Sequence, residues 1–555
     1  MHLTMRTAAL ALLLFSFHPN MADAQLRLVD VLEALYPDSN NLSTYTRRFE
    51  AAYPSGTVAD VHMVLPTRSG ETFSVSARYR GRELPLSVWS RLVDVPVEQN
   101  TGLDSRTERF KGNYNLHVIR RAPFRVYEAI RPLDDATQKA TNAFTALRLS
   151  IPASLLGGPG RKEVEITVKT GKAKEKAVFI PTVYGSRPPG LSDSRFFYTN
   201  WFSLSDIETR HGVERWSDDW FRVLDRYAAL MAYGRQNAIL IPGELFSIRD
   251  GAIRMDADRM KRYIDLFRAH GFRYFESPHV MDRGKEDAWG DPILKVSLTG
   301  VRYDTELGKR QVDTIAGLVR DFIRANGLTG GQWLQHISDE PTDVQAACYG
   351  QVVKRIKSIF PEAVVMEATN ARGSLTGAVD FWCPLINDFQ VNESFFRERE
   401  RNGEKVIVYT CLIPGGPWLN RLLDQQRIRP VYFGWGAARY GISGFLHWGL
   451  NQYRADPWKQ SVVKHPSPVA TTDNFLPAGD THVVYPGESG PLSSTRFEAH
   501  RLGIEDFELL ETLRLRDPKR MDALVSRLFR TYTDYETSLS AYRSVRRELL
   551  EALAK

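Results

Sequence analysis

The chain has 555 residues, 43% hydrophobic and 25% charged, and 73 Lys and Arg against 66 Asp and Glu give a formal net charge of +7. This length exceeds what one core sustains and implies two or three domains. The surplus charge is spread along the whole chain without a basic arm or stripe, so nucleic-acid binding is not indicated.

Residues 1–24 read as an export leader. Arg6 precedes an apolar run from Ala8 to Phe17, too short to cross a bilayer, and Ala22-Asp23-Ala24 offers a small-x-small cleavage pattern before Gln25. No cysteine stands near that site for a lipid anchor, and no later segment is apolar enough to span a membrane. The protein is expected to be periplasmic or secreted.

Residues 25–188 show short alternating runs, such as Thr72 to Tyr79 and Glu163 to Val168, separated by turn residues such as Gly157-Gly158-Pro159-Gly160. This pattern predicts an antiparallel β-sandwich. The basic stretch at 161–176 fits a solvated hairpin. Arg187-Pro188-Pro189-Gly190 is a linker candidate.

Over residues 189–453 the period changes. Apolar runs alternate with amphipathic helices, one of which carries Trp220, Val223, Leu224, Tyr227, Leu230 and Met231 on a single face. Eight strands are expected, centred near Tyr198, Ile239, Tyr274, Leu334, Val365, Phe381, Val408 and Phe445. Strand–helix alternation repeated eight times indicates a (β/α)8 barrel. Residues 454–555 add a hairpin-like piece, Thr481 to Gly487, and helices with apolar faces at Phe507, Leu510 and Leu513 and at Leu524, Val525 and Leu528. They are expected to pack on the barrel.

A barrel keeps its chemistry at the carboxyl ends of its strands. The fourth strand runs Gln332-Trp333-Leu334-Gln335-His336-Ile337-Ser338-Asp339-Glu340-Pro341, an apolar run ending in two adjacent carboxylates and stopped by a proline. Acidic groups are costly to bury unless paired or used. The plain alternative is that Asp339 caps the next helix and Glu340 is solvated. Other strand ends offer Glu244, Glu276, His279, Asn370, Asp388, Tyr409, Trp448 and Asn451. Carboxylates mixed with Trp, Tyr and Asn suit a sugar site, because aromatic faces stack on a pyranose and polar groups bond its hydroxyls. Trp333 and Trp382 read as core, Trp448 as site. Three cysteines, Cys348, Cys383 and Cys411, exclude a disulfide scaffold and read as buried thiols, with a Cys383–Cys411 bridge the one pairing open. Without Cys-x-x-Cys, His-Glu-x-x-His or a glycine-rich phosphate loop in strand–helix context, no cofactor or metal is expected.

Five stretches resemble glycoside hydrolase family 123, the retaining β-N-acetylgalactosaminidases, and its bacterial relatives. They are Val93 to Gly102, Trp216-Ser217 through Gln236-Asn237, His336 to Pro341, Gly444 to Trp448 and Arg496 to Glu508. They stand in the family's order and are spread over most of the length of the mature chain. The resemblance implies substrate-assisted catalysis, an exception to the scheme of two opposed carboxylates. Glu340 would be the acid and base. Asp339 would bond the N–H of the sugar's 2-acetamido group, whose carbonyl oxygen attacks the anomeric carbon. Tyr409 is the candidate to bond that carbonyl, Trp448 the sugar platform, and Asn451, Asp388 and His279 the hydroxyl partners. Many relatives carry an aromatic or other residue where this chain has Ser338. The implied partner is a glycan. Two other readings stay open: a barrel glycosidase in which Asp339 or Glu340 works with a distant carboxylate such as Glu244, Glu276 or Asp388, and a secreted carbohydrate-binding protein without catalysis.

Overall fold

The computed structural model describes residues 26–104, 106–109, 112–171, 173–283, 291–465 and 474–554; the expected leader lies outside them. The amino-terminal part is two sheets packed face to face. One orders Arg27–Val29, Val58–Pro66, Phe144–Pro152, Trp89–Val97 and Phe124–Pro132, all antiparallel. The other is built on Ala173–Tyr184, Val164–Thr170 and Thr72–Tyr79. Alternation places Ala59, Val61, Met63 and Leu65 of the first sheet and Val164, Ile166 and Val168 of the second in one core. One pairing departs from the antiparallel expectation: Arg48–Pro54 runs parallel to Ala173–Tyr184. The basic stretch is a hairpin, its apolar side chains inside and Lys169, Lys174 and Lys176 exposed.

The barrel strands are β1 (Phe197–Asn200), β2 (Ala238–Leu240), β3 (Tyr274–Glu276), β4 (Trp333–Gln335), β5 (Val364–Ala368), β6 (Phe381–Cys383), β7 (Lys405–Val406 and Val408–Tyr409) and β8 (Gly444–His447). All are parallel, and β8 pairs with β1. The strand β7 is broken at Ile407: its first half pairs with β6 and its second with β8. The ring therefore closes with eight strands, one of them in two pieces, and every expected strand centre falls on its strand. Phe197, Leu334, Met366, Phe381, Ile407 and Leu446 fill the interior. Trp333 and Trp382 are fully buried outside it, against the helices.

Helices α1 (Leu204–His211) and α2 (Asp218–Tyr233) follow β1, α3 (Ala257–Ala269) follows β2, α4 (Glu306–Ala325) follows β3 and α5 (Ala346–Ile359) follows β4. After β6 come α6 (Ile386–Val391) and α7 (Glu393–Arg401), after β7 α8 (Ile428–Tyr440), and after β8 α9 (Thr495–Arg516), then α10 (Pro518–Leu528) and α11 (Leu539–Ala554). The alternation is not strictly eightfold. Between β5 and β6 there is only a 3-10 turn, Gly373–Leu375, because about a dozen residues containing two glycines link the strands.

Helix α9 lies against the outside of β1 and β8, through Phe507 on Phe196 and His500 on Tyr198 and Phe445. It thus occupies the place of the eighth barrel helix. It is buried nearly all round rather than on the single face expected. Its charges are all engaged: Arg496 with Glu128 at 2.6 Å, Glu498 with Arg148 at 3.0 Å, Arg501 with Glu505 at 2.6 Å, Glu508 with Arg195 at 3.1 Å and Asp506 with Arg546 at 2.7 Å. Buried charges persist only when paired in this way. No described helix is long and apolar enough to cross a membrane.

Candidate active site

An open pocket of about 360 Å³ lies at the carboxyl ends of the strands. Trp201 after β1, Asp339 and Glu340 after β4, Ala368 of β5, Tyr409 and Cys411 at β7, and Leu446 and Trp448 at β8 line it. Gln452, Arg454, His465 and Leu476 complete the wall from beyond the last strand. That wall is anchored by the sandwich: the Glu98 carboxylate accepts from Ser461 N at 3.0 Å, Ser461 Oγ at 2.7 Å and Val462 N at 3.1 Å.

Neighbouring residues of a strand point to opposite faces. Asp339 and Glu340 nevertheless share one pocket, because the β4 ladder ends at Gln335 and Glu340 takes a left-handed backbone, φ 43°. Such a conformation costs about 1–3 kcal/mol for a residue with a side chain, and is held by its surroundings. Here the Arg283 guanidinium donates to the Glu340 carbonyl, and Thr369 Oγ1 donates to the Pro341 carbonyl at 2.8 Å.

The two carboxylates differ in environment. The Asp339 side chain is 56% exposed. Glu340 is half-buried and accepts a 2.5 Å hydrogen bond from the Tyr409 hydroxyl on Oε1. Burial, and secondarily the charge of Asp339, push the Glu340 carboxyl above its ordinary range; Tyr409 and Arg283 pull the other way. A carboxyl that stays protonated toward neutral pH suits a general acid.

Beneath the pair lies a buried charged cluster. His336 sits between two glutamates, its Nε2 3.1 Å from Glu276 Oε2 and its Nδ1 3.3 Å from Glu367 Oε1. Burial disfavours the imidazolium, but the hydrogen bonds to Glu276 and Glu367 outweigh it and raise the His336 pKa to about 10. Burial opposes the Glu367 carboxylate, and the close imidazoles of His279 and His336 overcome this, bringing it down to about 2. Glu367 Oε2 also accepts from Ile337 N, Ser338 N and the Tyr349 hydroxyl at 3.0, 3.1 and 3.0 Å, which pins the backbone just before Asp339. Glu276 is bound further by Thr199 and, at 3.0 Å, by Trp201 Nε1. His279, His336 and Glu367 bring ligand-type atoms within 4.8 Å of one another. In the absence of a cation, the hydrogen bonds of His336 to Glu276 and Glu367 tie the trio into a buried ion-pair cluster.

The structure brings Asp339, Glu340, Tyr409 and Trp448 together around the pocket. Trp448 is half-buried, and its Nε1 donates to Asp480 at 3.3 Å. The three expected hydroxyl partners are not among the residues that line the pocket. Asn451 is fully buried and does not line the pocket; its amide accepts from Ser203 N at 2.7 Å and donates to Ser203 O at 3.1 Å. Asp388 lies on α6, paired with Arg372 and bonded by Asn392 at 2.9 Å, also away from the pocket. His279 sits behind Asp339 rather than in the lining, with Nε2 4.0 Å from Asp339 Oδ1 and 3.6 Å from Glu367 Oε1. The distant carboxylates are otherwise engaged: Glu244 pairs with Arg215, and Glu276 is fully buried in the cluster. Among the described residues, Asp339 and Glu340 are the carboxylates that line the pocket. All three cysteines are free thiols.

Sequence reasoning missed Trp201 and Glu367. Glu367 had a signal: a lone carboxylate inside the apolar strand Val364-Val365-Met366-Glu367-Ala368 must be paired. Trp201 follows β1 directly and could have been found by the strand-end criterion that selected Trp448.

The model of the glycoside hydrolase 123 catalytic domain matches residues 201–513. A family 123 glycoside hydrolase from Clostridium perfringens, described for glycolipid glycan hydrolysis, has the same fold with a TM-score of 0.71 at 12% identity, over 96% of this chain and 97% of the other. Much weaker likenesses are an Ig-domain-containing GH10 xylanase from termite gut (TM-score 0.31, 11% identity, 64% and 87% covered) and an endo-β-1,4-mannanase from Thermotoga petrophila (0.35, 12%, 58% and 78%). No curated protein sequence matches.

Proposed function

Because this chain belongs to glycoside hydrolase family 123, we propose that it is an exported β-N-acetylgalactosaminidase that works by substrate assistance. One observation carries the reading: the carboxylates that line the pocket, among the described residues, are two chain neighbours. A nucleophilic carboxylate would have to lie about 5–5.5 Å from the acid, and a base for inversion about 6.5–9.5 Å away across the ring. Glu244, Glu276 and Asp388 are each held elsewhere. Chain neighbours suit a reaction whose nucleophile belongs to the substrate, because the second carboxylate must then stand beside the acid, near the sugar's 2-position.

In this mechanism Glu340 donates its proton to the glycosidic oxygen as the bond to the anomeric carbon breaks. The 2-acetamido carbonyl oxygen forms a bond to the same carbon, giving an oxazolinium ion. Asp339 accepts the acetamido N–H, orients the group and balances its developing positive charge. Glu340, now a carboxylate, takes a proton from the water that opens the ring. Tyr409 holds Glu340 before substrate binds and is within reach of the acetamido carbonyl afterwards. The indoles of Trp448 and Trp201 offer the sugar apolar faces.

The test is hydrolysis of 4-nitrophenyl β-GalNAc, β-GlcNAc and β-galactoside, with and without an oxazoline-mimicking thiazoline. The proposal expects cleavage of acetamido sugars, GalNAc foremost, blocked by thiazoline, and a loss of about 10²–10⁴-fold in Glu340→Gln. Galactoside cleavage, or indifference to thiazoline, contradicts it. Tight binding of GalNAc oligosaccharides without turnover would favour a carbohydrate-binding protein.

A further inference from the structure

Asp339 carries the charge that must steer the acetamido group, yet its side chain is 56% exposed. A carboxylate on the pocket rim has rotational freedom, and an error of about 1 Å in placing a reacting group can cost about 10²-fold in rate. Behind it stands an imidazole with an unfinished hydrogen bond. The Nε2 of His279 is buried, and its nearest acceptor, Glu367 Oε1, stands just beyond hydrogen-bond length. It lies between two carboxylates, 3.6 Å from Glu367 Oε1 and 4.0 Å from Asp339 Oδ1. Glu367 cannot turn away, because its other oxygen takes two backbone N–H groups and the Tyr349 hydroxyl. The His279 ring is bounded by His336, centroids 4.8 Å apart and planes 37° apart, and by the edge of Trp201 at 5.7 Å. Closing 4.0 Å to a hydrogen bond needs a shift of about 1 Å.

We propose that His279 is a positioning residue for Asp339: its Nε2–H, poised beside Glu367, moves onto Asp339 Oδ1 when the substrate's acetamido N–H engages the same carboxylate. One Asp339 oxygen then receives the histidine from behind and the other is left for the acetamido group. Glu367 keeps the imidazole aimed, and the same glutamate fixes the backbone of Ile337 and Ser338, so both ends of the contact are referenced to one buried anchor. The inference rests on the substrate-assisted reading and adds a residue to it.

The test replaces His279 with Phe, which keeps a ring without a donor, and with Gln, whose side-chain amide can donate at the position of Nε2. The expected result is a fall of up to about 100-fold in kcat for the aryl acetamido glycoside in His279→Phe, with KM little changed. Thiazoline affinity should fall by a similar factor, and His279→Gln should recover much of both. Wild-type protein with ¹⁵N-labelled histidine supplies a second readout that needs no variant: the His279 Nε2–H signal should move on thiazoline binding. Wild-type kcat and thiazoline affinity in His279→Phe, no gain in Gln over Phe in folded protein, or an unmoved Nε2–H signal each overturn the inference. If thiazoline fails to inhibit the wild type and Asp339→Asn keeps its activity, the substrate-assisted reading falls instead.

Discussion

Adjacent carboxylates in one pocket cannot ionise independently, and the environment decides which keeps its proton. Burial singles out Glu340, with Asp339 adding to the effect and the Tyr409 hydroxyl opposing it. Tyr409→Phe removes a bond that favours the carboxylate form. The alkaline limb of the kcat/KM profile, set by the protonated acid, is therefore expected to move to higher pH; a limb that stays in place or moves down would contradict the assignment. The buried cluster has its own signature in stability. Glu367 titrates near 2 in the folded protein against an ordinary 4.5, so its contribution is whole above pH 4.5 and lost as pH falls toward 2. His336 is the opposite case: its contribution is whole below pH 6.5 and lost as pH rises through about 10. Glu367→Gln leaves His336 with half its counter-charge. It is expected to destabilise by about 3–5 kcal/mol and to flatten the fall of Tm between pH 4.5 and 2. An unchanged acid slope would show that the cluster does not hold this carboxylate charged.

At the scale of elements, close approach is what the barrel wall demands. Helices α8 and α9 meet backbone to backbone: a Cβ on Gly503 would lie 2.3 Å from the Val431 carbonyl oxygen, and one on Gly434 1.9 Å from that of Gly503. Gly503→Ala cannot be absorbed by a flexible side chain and is expected to cost about 1–3 kcal/mol, read as a lower Tm; an unchanged Tm would mean that the helices part freely. The elements were legible in the sequence to the extent that one period dominated each. The eight strands are short apolar runs between helical stripes, and all were located. The α9 segment misled, because Phe507, Leu510 and Leu513 suggested packing on one face, whereas Arg496, Glu498, Arg501, Glu505, Asp506 and Glu508 are also inside the protein, paired. The site divided in the same way. A strand-end position singled out Asp339, Glu340, Tyr409 and Trp448, and these four line one pocket. Asn451 and Asp388 do not line it: Asn451 is claimed by Ser203, 248 residues away, and Asp388 by Arg372 and Asn392 close by in sequence. Which neighbour claims a side chain is a property of the packed fold and leaves no mark on the local pattern.

Over the whole molecule, sandwich and barrel are joined by charge inside their interface. Glu128 of the sandwich is fully buried, 2.6 Å from Arg496 and 3.2 Å from Arg427, and Arg148 reaches both Asp60 and Glu498. In the other direction, Asp424 accepts from Thr101 N at 2.7 Å and Thr101 Oγ1 at 2.8 Å. Glu128→Gln strands two buried guanidinium groups and is expected to cost about 3–5 kcal/mol, with sandwich and barrel still melting in one transition. Two separated transitions would show that the interface is incidental. This joint also bears on the chemistry, since Glu98 of the sandwich secures the segment that walls the pocket beside Arg454 and His465. The claim that most needs testing is that the nucleophile is the substrate's own acetamido oxygen. It is tested most directly by kcat/KM for aryl β-GalNAc substrates whose N-acetyl group carries none, one, two or three fluorine atoms. Each fluorine withdraws electrons from the carbonyl oxygen. The account predicts a rate that falls progressively with fluorination; a rate indifferent to fluorine would place the nucleophile elsewhere.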